Sequence, residues 1–243
     1  MRDNTHQVTN SPSTLEAQEG MKTMKPPAFG LTDASDAEGS QDAGNIHASL
    51  THQSAIEIIN EGPPTELGLT TADVIVKNPV TSKEGDTFNI SADFICWPRI
   101  QIWPAGKALG KYDNIEDENS PLINASNYVQ IANSLRPNAG GHVFGKYWSR
   151  PITLKHEHFH ANDLIARAEK NIPAAEEYLS KKKITSESEA EWELEDTADF
   201  LNNKIDEEMK ADSPEERAYS DGAADYQKLH EAILKKGREG GYK

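Results

Sequence analysis

Apolar and polar residues alternate most clearly after Glu84-Gly85-Asp86, where Phe88, Ile90, Ala92, Phe94 and Cys96 point one way and Asn89, Ser91 and Asp93 the other. A period of two predicts a strand with one buried face. Pro98 interrupts it, and Arg99-Ile100-Gln101-Ile102-Trp103 resumes the alternation before Pro104. Shorter β-branched runs at residues 55–59 and 72–76 are bounded by proline breaks and predict further strands. Residues 105–125 form an irregular connection. A short helix follows, with Tyr128, Ile131 and Leu135 on one stripe, ending before Arg136-Pro137. His142-Val143-Phe144-Gly145-Lys146-Tyr147-Trp148 has the texture of one more strand.

After Pro151 the period becomes helical. Glu157, Ala161, Leu164 and Ala168 share a stripe among good helix formers, and Pro173 falls early in what should be a second helix. Leu194, Ala198, Leu201, Ile205 and Met209 repeat at helical spacing with acids on the other faces. Ser213-Pro214-Glu215-Glu216 then has the form of a helix start, with Ser213 at the N-cap and Glu216 as the capping-box carboxylate. Glu215 instead begins the stripe Glu215, Ala218, Gly222, Tyr226, Leu229, Ile233 and so faces the core, where a carboxylate needs a charged partner. Small residues at 218 and 222 would let this helix approach the one that follows Pro151 closely.

The fold class these elements predict is α+β: a small β-sheet region, strand-rich over 51–110 and 140–150, then a helical half over 152–236, all in a single domain spanning 51–243. Residues 1–50 carry almost no large apolar side chains to offset the entropy of ordering, so they are expected to be a disordered leader. Within them Met24-Lys25-Pro26-Pro27-Ala28-Phe29-Gly30-Leu31-Thr32-Asp33-Ala34-Ser35 is an apolar island stiffened by prolines, either a docking peptide or a plain linker. The net charge of −15 argues against nucleic acid as a partner. No run is long enough to span a membrane, and no secretory signal pattern opens the chain, so synthesis in the cytoplasm is expected, with any export by a route other than a secretory signal. The single cysteine, Cys96, sits in a strand-like run as a small buried hydrophobe. Trp97 and Trp103 either line a cleft or bury area in the core.

The chemistry concentrates in His156-Glu157-His158-Phe159-His160, which satisfies HExxH. On a helix, His156 and His160 lie one turn apart on one face and can close on a single zinc ion, leaving a position for water and placing Glu157 beside it. Two plainer readings compete: a chance match in a chain with eight histidines, or a strand presenting His156, His158 and His160 on one side. The helix-forming run that follows argues against the strand. His158 falls off the metal face.

With Glu215-x-x-Ala218-Tyr219-x-x-Gly222 downstream, the motif resembles the gluzincin metallopeptidases over roughly residues 140–235. That resemblance implies a zincin-like fold and a zinc-dependent peptidase acting on a protein or peptide. It assigns His156, His160 and Glu215 to zinc and Glu157 to general acid/base work. Tyr219 stands where several relatives carry Asp; it either hydrogen-bonds a ligand or the oxyanion, or packs. Asp221, Asp225, Glu191 and Glu195 are alternative third ligands. An edge strand near the metal helix, here residues 143–148, is expected to hold an extended substrate. The Lys-Pro-Pro-Ala-Phe island resembles leaders of proteins associated with bacterial extracellular contractile injection systems, which implies components of such a system as partners. A non-catalytic cargo, effector or structural role is therefore the alternative function, and hydrolysis of a non-peptide amide a third.

Overall fold

A computed structural model describes residues 44–137, 145–212 and 214–243, apart from the side chains of Glu215, Glu216 and Asp221. The Lys-Pro-Pro-Ala-Phe island, residues 138–144 and the Ser213 cap lie outside the described residues. The chain runs β1 (Asn45–Ser54), β2 (Glu57–Ile59), β3 (Gly68–Glu84), β4 (Thr87–Ile102), β5 (Lys107–Ala108), β6 (Tyr112–Asn114), α1 (Tyr128–Leu135), β7 (Tyr147–Trp148), α2 (Arg150–Ser180), α3 (Glu187–Ala211) and α4 (Pro214–Arg238). The mixed α+β class expected from the alternation is what forms. β1 takes in residues 45–50, which their polar composition had assigned to the leader.

β4 is the spine of the main sheet. β3 pairs with it antiparallel through a hairpin whose turn holds Gly85 at φ 60°, and β1 and β2 pair with it in parallel. Its even-numbered residues from Phe88 to Cys96 are all buried, as the alternation requires. Pro98 does not break β4, contrary to expectation; the interruption falls on the parallel neighbour instead. β1 ends with Ser54 opposite Cys96 and β2 begins with Glu57 opposite Arg99, leaving a gap at Pro98, which has no N–H to give. In β3, Asn78 and Pro79 together oppose Ala92, a bulge in which Asn78 takes φ 50°.

α2 and α3 cover one face of the sheet, and the main core lies between them: Ile46, Leu50, Val74, Phe88, Ile90 and Phe94 from the strands meet Leu164, Ala168, Leu194, Ala198 and Leu201 from the helices. Each large side chain so buried contributes about 1.5–3 kcal/mol. A second cluster joins α1 to α4 through Ile131, Leu135, Tyr226, Leu229 and Ile233, and a third gathers Ile102, Ala108 and Trp148. Trp148 is the fully buried indole; Trp97 is 41% exposed, and the Trp103 indole donates to the Glu66 carbonyl at 3.0 Å.

Pro173 lies inside α2 and starts no second helix. The apolar stripe continues past it through Ala168, Ile172, Ala175 and Leu179, all buried, so core contacts hold the helix together while the proline faces solvent. Ser186 caps α3, its hydroxyl accepting the Glu189 N–H at 3.3 Å, and the Glu189 carboxylate reaches back to the Thr185 N–H at 2.5 Å.

Candidate metal centre

Pro151, in the first turn of α2, suits a helix start because its missing N–H would be unbonded there anyway. The backbone N–H of the cap residue, Ser149, is met from α4: it donates to the buried Tyr226 hydroxyl at 3.1 Å. The helix therefore begins at a fixed point, and His156 and His160 come up together about two and three turns later. Their Nε2 atoms stand 3.1 Å apart, with the rings inclined at 76°. Two nitrogens each about 2.0–2.1 Å from one tetrahedral ion would be about 3.3 Å apart, so the pair already has nearly the spacing zinc requires. The same distance suits a hydrogen bond from one neutral ring to the other, a proton that a metal would replace. His160 is buried and His156 half-buried.

Glu157 turns to the sheet. It is 5% exposed, and its Oε2 accepts the Thr70 hydroxyl of β3 at 2.8 Å. Gly68 makes room for it: a Cβ at that position would stand 2.7 Å from Glu157 Oε1 and 2.8 Å from its Cγ. The strand beside the HExxH helix is thus the start of β3. β7, from the stretch expected in that place, pairs with β6, and Trp148 on it is fully buried. His156, Glu157, His160 and Tyr219 each have further partners besides those named here.

From the other side α4 crosses α2. Ala218 is buried, and the Tyr219 ring lies 5.1 Å from His156 between centroids. Between the helices is a cavity of about 230 Å³ lined by Ile152, Lys155, His156, His158, Phe159, Asn162, Ala218 and Gly222. Gly222 opens on it, with no atom of the described residues within 4 Å of where a Cβ would be, so close helix approach depends on Ala218 and not on both small residues. His158 shares this cavity with His156.

Glu215 belongs to the first turn of α4, but its side chain, like that of Asp221, lies outside the described residues. Of the other alternative ligands, Asp225 pairs with Lys155 at 2.5 Å and Lys228 at 3.0 Å, which hold its carboxyl below the usual carboxylate range. Glu191 and Glu195 line a different cavity, beside β3. Among the described residues no three His, Cys, Asp or Glu side chains gather in a metal-binding cluster.

Sequence reasoning missed three contributors: Gly68 and Thr70, some 87 residues before Glu157 in the case of Thr70, and an ionic corner just beyond the histidines. There Arg167, one-tenth exposed in its side chain, contacts Asp163 at 2.8 Å, Asp212 at 2.9 Å and Glu208 at 3.6 Å. Arg217 bridges Asp212 at 3.0 Å and Asp163 at 3.3 Å. Burial works against the Arg167 charge, but the Asp163 and Asp212 carboxylates outweigh it. Asp163 and Arg167 continue the helical face of His156 and His160, and they clamp the α3–α4 junction from which α4 departs. The helical spacing of 156, 160, 163 and 167 was the one available signal.

No protein-family model, no curated protein and no solved structure matches this chain.

Proposed function

We propose that the chain is a zinc-dependent metallopeptidase, with His156 and His160 as metal donors, Glu157 as general acid/base and Glu215 of α4 as the third donor. The observation that supports this reading most is the 3.1 Å approach of the two Nε2 atoms on the helix that also buries Glu157. Neutral imidazoles and a carboxylate are the donor set of a hydrolytic zinc site. When bound, zinc would polarise the scissile carbonyl and acidify the attacking water. Glu157, oriented by Thr70, takes the proton from that water and delivers it to the leaving amine, so one residue serves as base and then acid. Tyr219, beside His156, orients that ring or meets the developing oxyanion. The substrate class is a protein or peptide.

The test is zinc content and peptide digestion for the native chain and for Glu157→Gln, each with and without chelator. The reading expects zinc in both and hydrolysis in the native chain alone, abolished by chelation. Activity in the Gln variant, or a native chain that takes up no zinc, would overturn it. Zinc in both with hydrolysis by neither would favour a non-catalytic cargo, effector or structural component of a contractile injection system.

A further inference from the structure

The face that α3 turns to β3 changes character along its length. Just past its middle Asn202 lies against the strand: its Oδ1 accepts the Val74 N–H at 3.0 Å and its Nδ2 donates to the Val74 carbonyl at 3.4 Å. One side-chain amide thus takes the place of a peptide unit from a further strand. Among the described residues β3 pairs with β4 alone, so its other side is a sheet edge. The two-residue repeat of a strand turns the Val76 N–H and C=O to that same edge.

About three helical turns before Asn202, α3 no longer closes on the strand. A cavity of about 480 Å³ opens there, lined by Val76, Pro79, Glu191, Trp192, Leu194 and Glu195. Trp192 is 78% exposed, and Val80, beside the bulge, 59%. A lone exposed apolar side chain is ordinary; an indole bordering both an open sheet edge and a cavity is a different situation. The polar lining consists of two carboxylates, Glu191 and Glu195, while Lys77 alternates to the opposite face of the strand. Pro79 has no N–H, so strand addition must stop at the bulge, which limits an occupant to a few residues.

We propose that this groove docks a short, extended, basic segment of a partner protein. The segment pairs along β3 at Val76, lays an apolar side chain on Trp192 and brings Lys or Arg to Glu191 and Glu195, which is strand addition with side-chain pockets supplying selectivity. A second copy of the chain is a poor occupant, since each copy carries a net charge of −15. The proposal stands apart from the peptidase reading, because none of the groove's residues belongs to the metal centre.

The test measures fluorescence anisotropy of two labelled peptides, acetyl-Lys-Val-Lys-Val-Lys-Val-amide and its Glu-for-Lys counterpart, with the full chain carrying Glu157→Gln so that the probe survives. The basic peptide should bind at least about tenfold tighter, and more weakly as salt is raised. Trp192→Ala should cost about tenfold or more. Glu191→Lys with Glu195→Lys should reverse the preference between peptides. All three side chains are exposed, and unchanged unfolding midpoints verify that the variants fold. Equal binding of both peptides, binding of neither, or binding indifferent to Trp192→Ala would overturn the proposal. So would a native dimer that Trp192→Ala turns into a monomer, since the groove would then be filled by the chain itself.

Discussion

The two sides of α2 that flank its histidine pair are held in opposite ways. Toward the sheet the helix is closed down: Glu157 is clasped by the Thr70 hydroxyl and by a glycine that leaves it no spare space, and Ala161, Leu164 and Ala168 continue the contact along buried strand residues. Toward α4 it is open: His156, His158 and Phe159 border a cavity of about 230 Å³, and Gly222 faces it with none of the described residues close to where a Cβ would be. The contrast divides the labour of a hydrolytic site. A group that moves protons must be fixed relative to the reacting atoms, whereas ligand-bearing helices can settle around an ion as it binds. The closed side would therefore govern turnover and the open side metal affinity and access.

The largest effect should come from removing one donor. His160→Ala is expected to lower zinc affinity by more than about 100-fold, beyond what loss of a supporting outer partner costs, in a competition titration against a chromogenic chelator. Affinity that is unchanged would show that the pair does not grip a metal, and the division between the two faces would lose its meaning.

Next is Gly68→Ala. The added methyl would occupy space that Glu157 already fills, with backbone strand on one side and the helix on the other, so the carboxylate must move. A displacement of about 1 Å costs on the order of 10²-fold in turnover, and zinc affinity should stay nearly constant because Glu157 is not one of the proposed metal donors. Steady-state kinetics beside a zinc titration measures both. Equal losses in the two would mean that the closed face serves the whole site and not Glu157 in particular.

The ionic corner sharpens the comparison from the open side. Arg167→Met leaves Asp163 and Asp212 without their buried counter-charge and should destabilise the protein by about 2 kcal/mol in urea unfolding. It should also weaken zinc binding, since the corner sets where α4 departs. The Arg167 and Arg217 guanidiniums hold the Asp212 carboxyl below its ordinary value of 3.8. That contribution is complete at neutral pH and is lost as the pH falls through the folded-state value, below about pH 4. Hydrogen exchange around residues 205–217 should therefore accelerate below that pH in the native chain, and already at neutral pH in Arg167→Met.

How much of this was legible in the sequence follows from which interactions are local. The β4 alternation was complete because one face of that strand is buried along its whole length, and the α3 stripe was plain for the same reason. The histidine pair was visible because i and i+4 on a helix bring them together whatever the tertiary fold. Pro98 and Pro173 misled, since tertiary packing overrode their local preference: the neighbouring strand breaks at one, and the core carries the helix past the other. Gly68 and Thr70 carry no motif; only the sheet's register places them beside Glu157. The ion pairs of Arg167 depend in the same way on how three helices meet.

The smallest effect is the most direct comparison of the two faces, because it makes the same change at a second glycine. Gly222 lies within α4 with ordinary helical backbone, and a methyl there would meet none of the described residues within 4 Å. Glycine in a helix interior costs about 0.5–1 kcal/mol relative to alanine through the freedom it loses on folding. Gly222→Ala should therefore stabilise the protein by about that amount, raising the urea midpoint. The methyl narrows the cavity without filling it, so zinc affinity should hold. If Gly222→Ala destabilises instead, the space between α2 and α4 is not slack but shaped, and the open face would be as exactingly packed as the closed one.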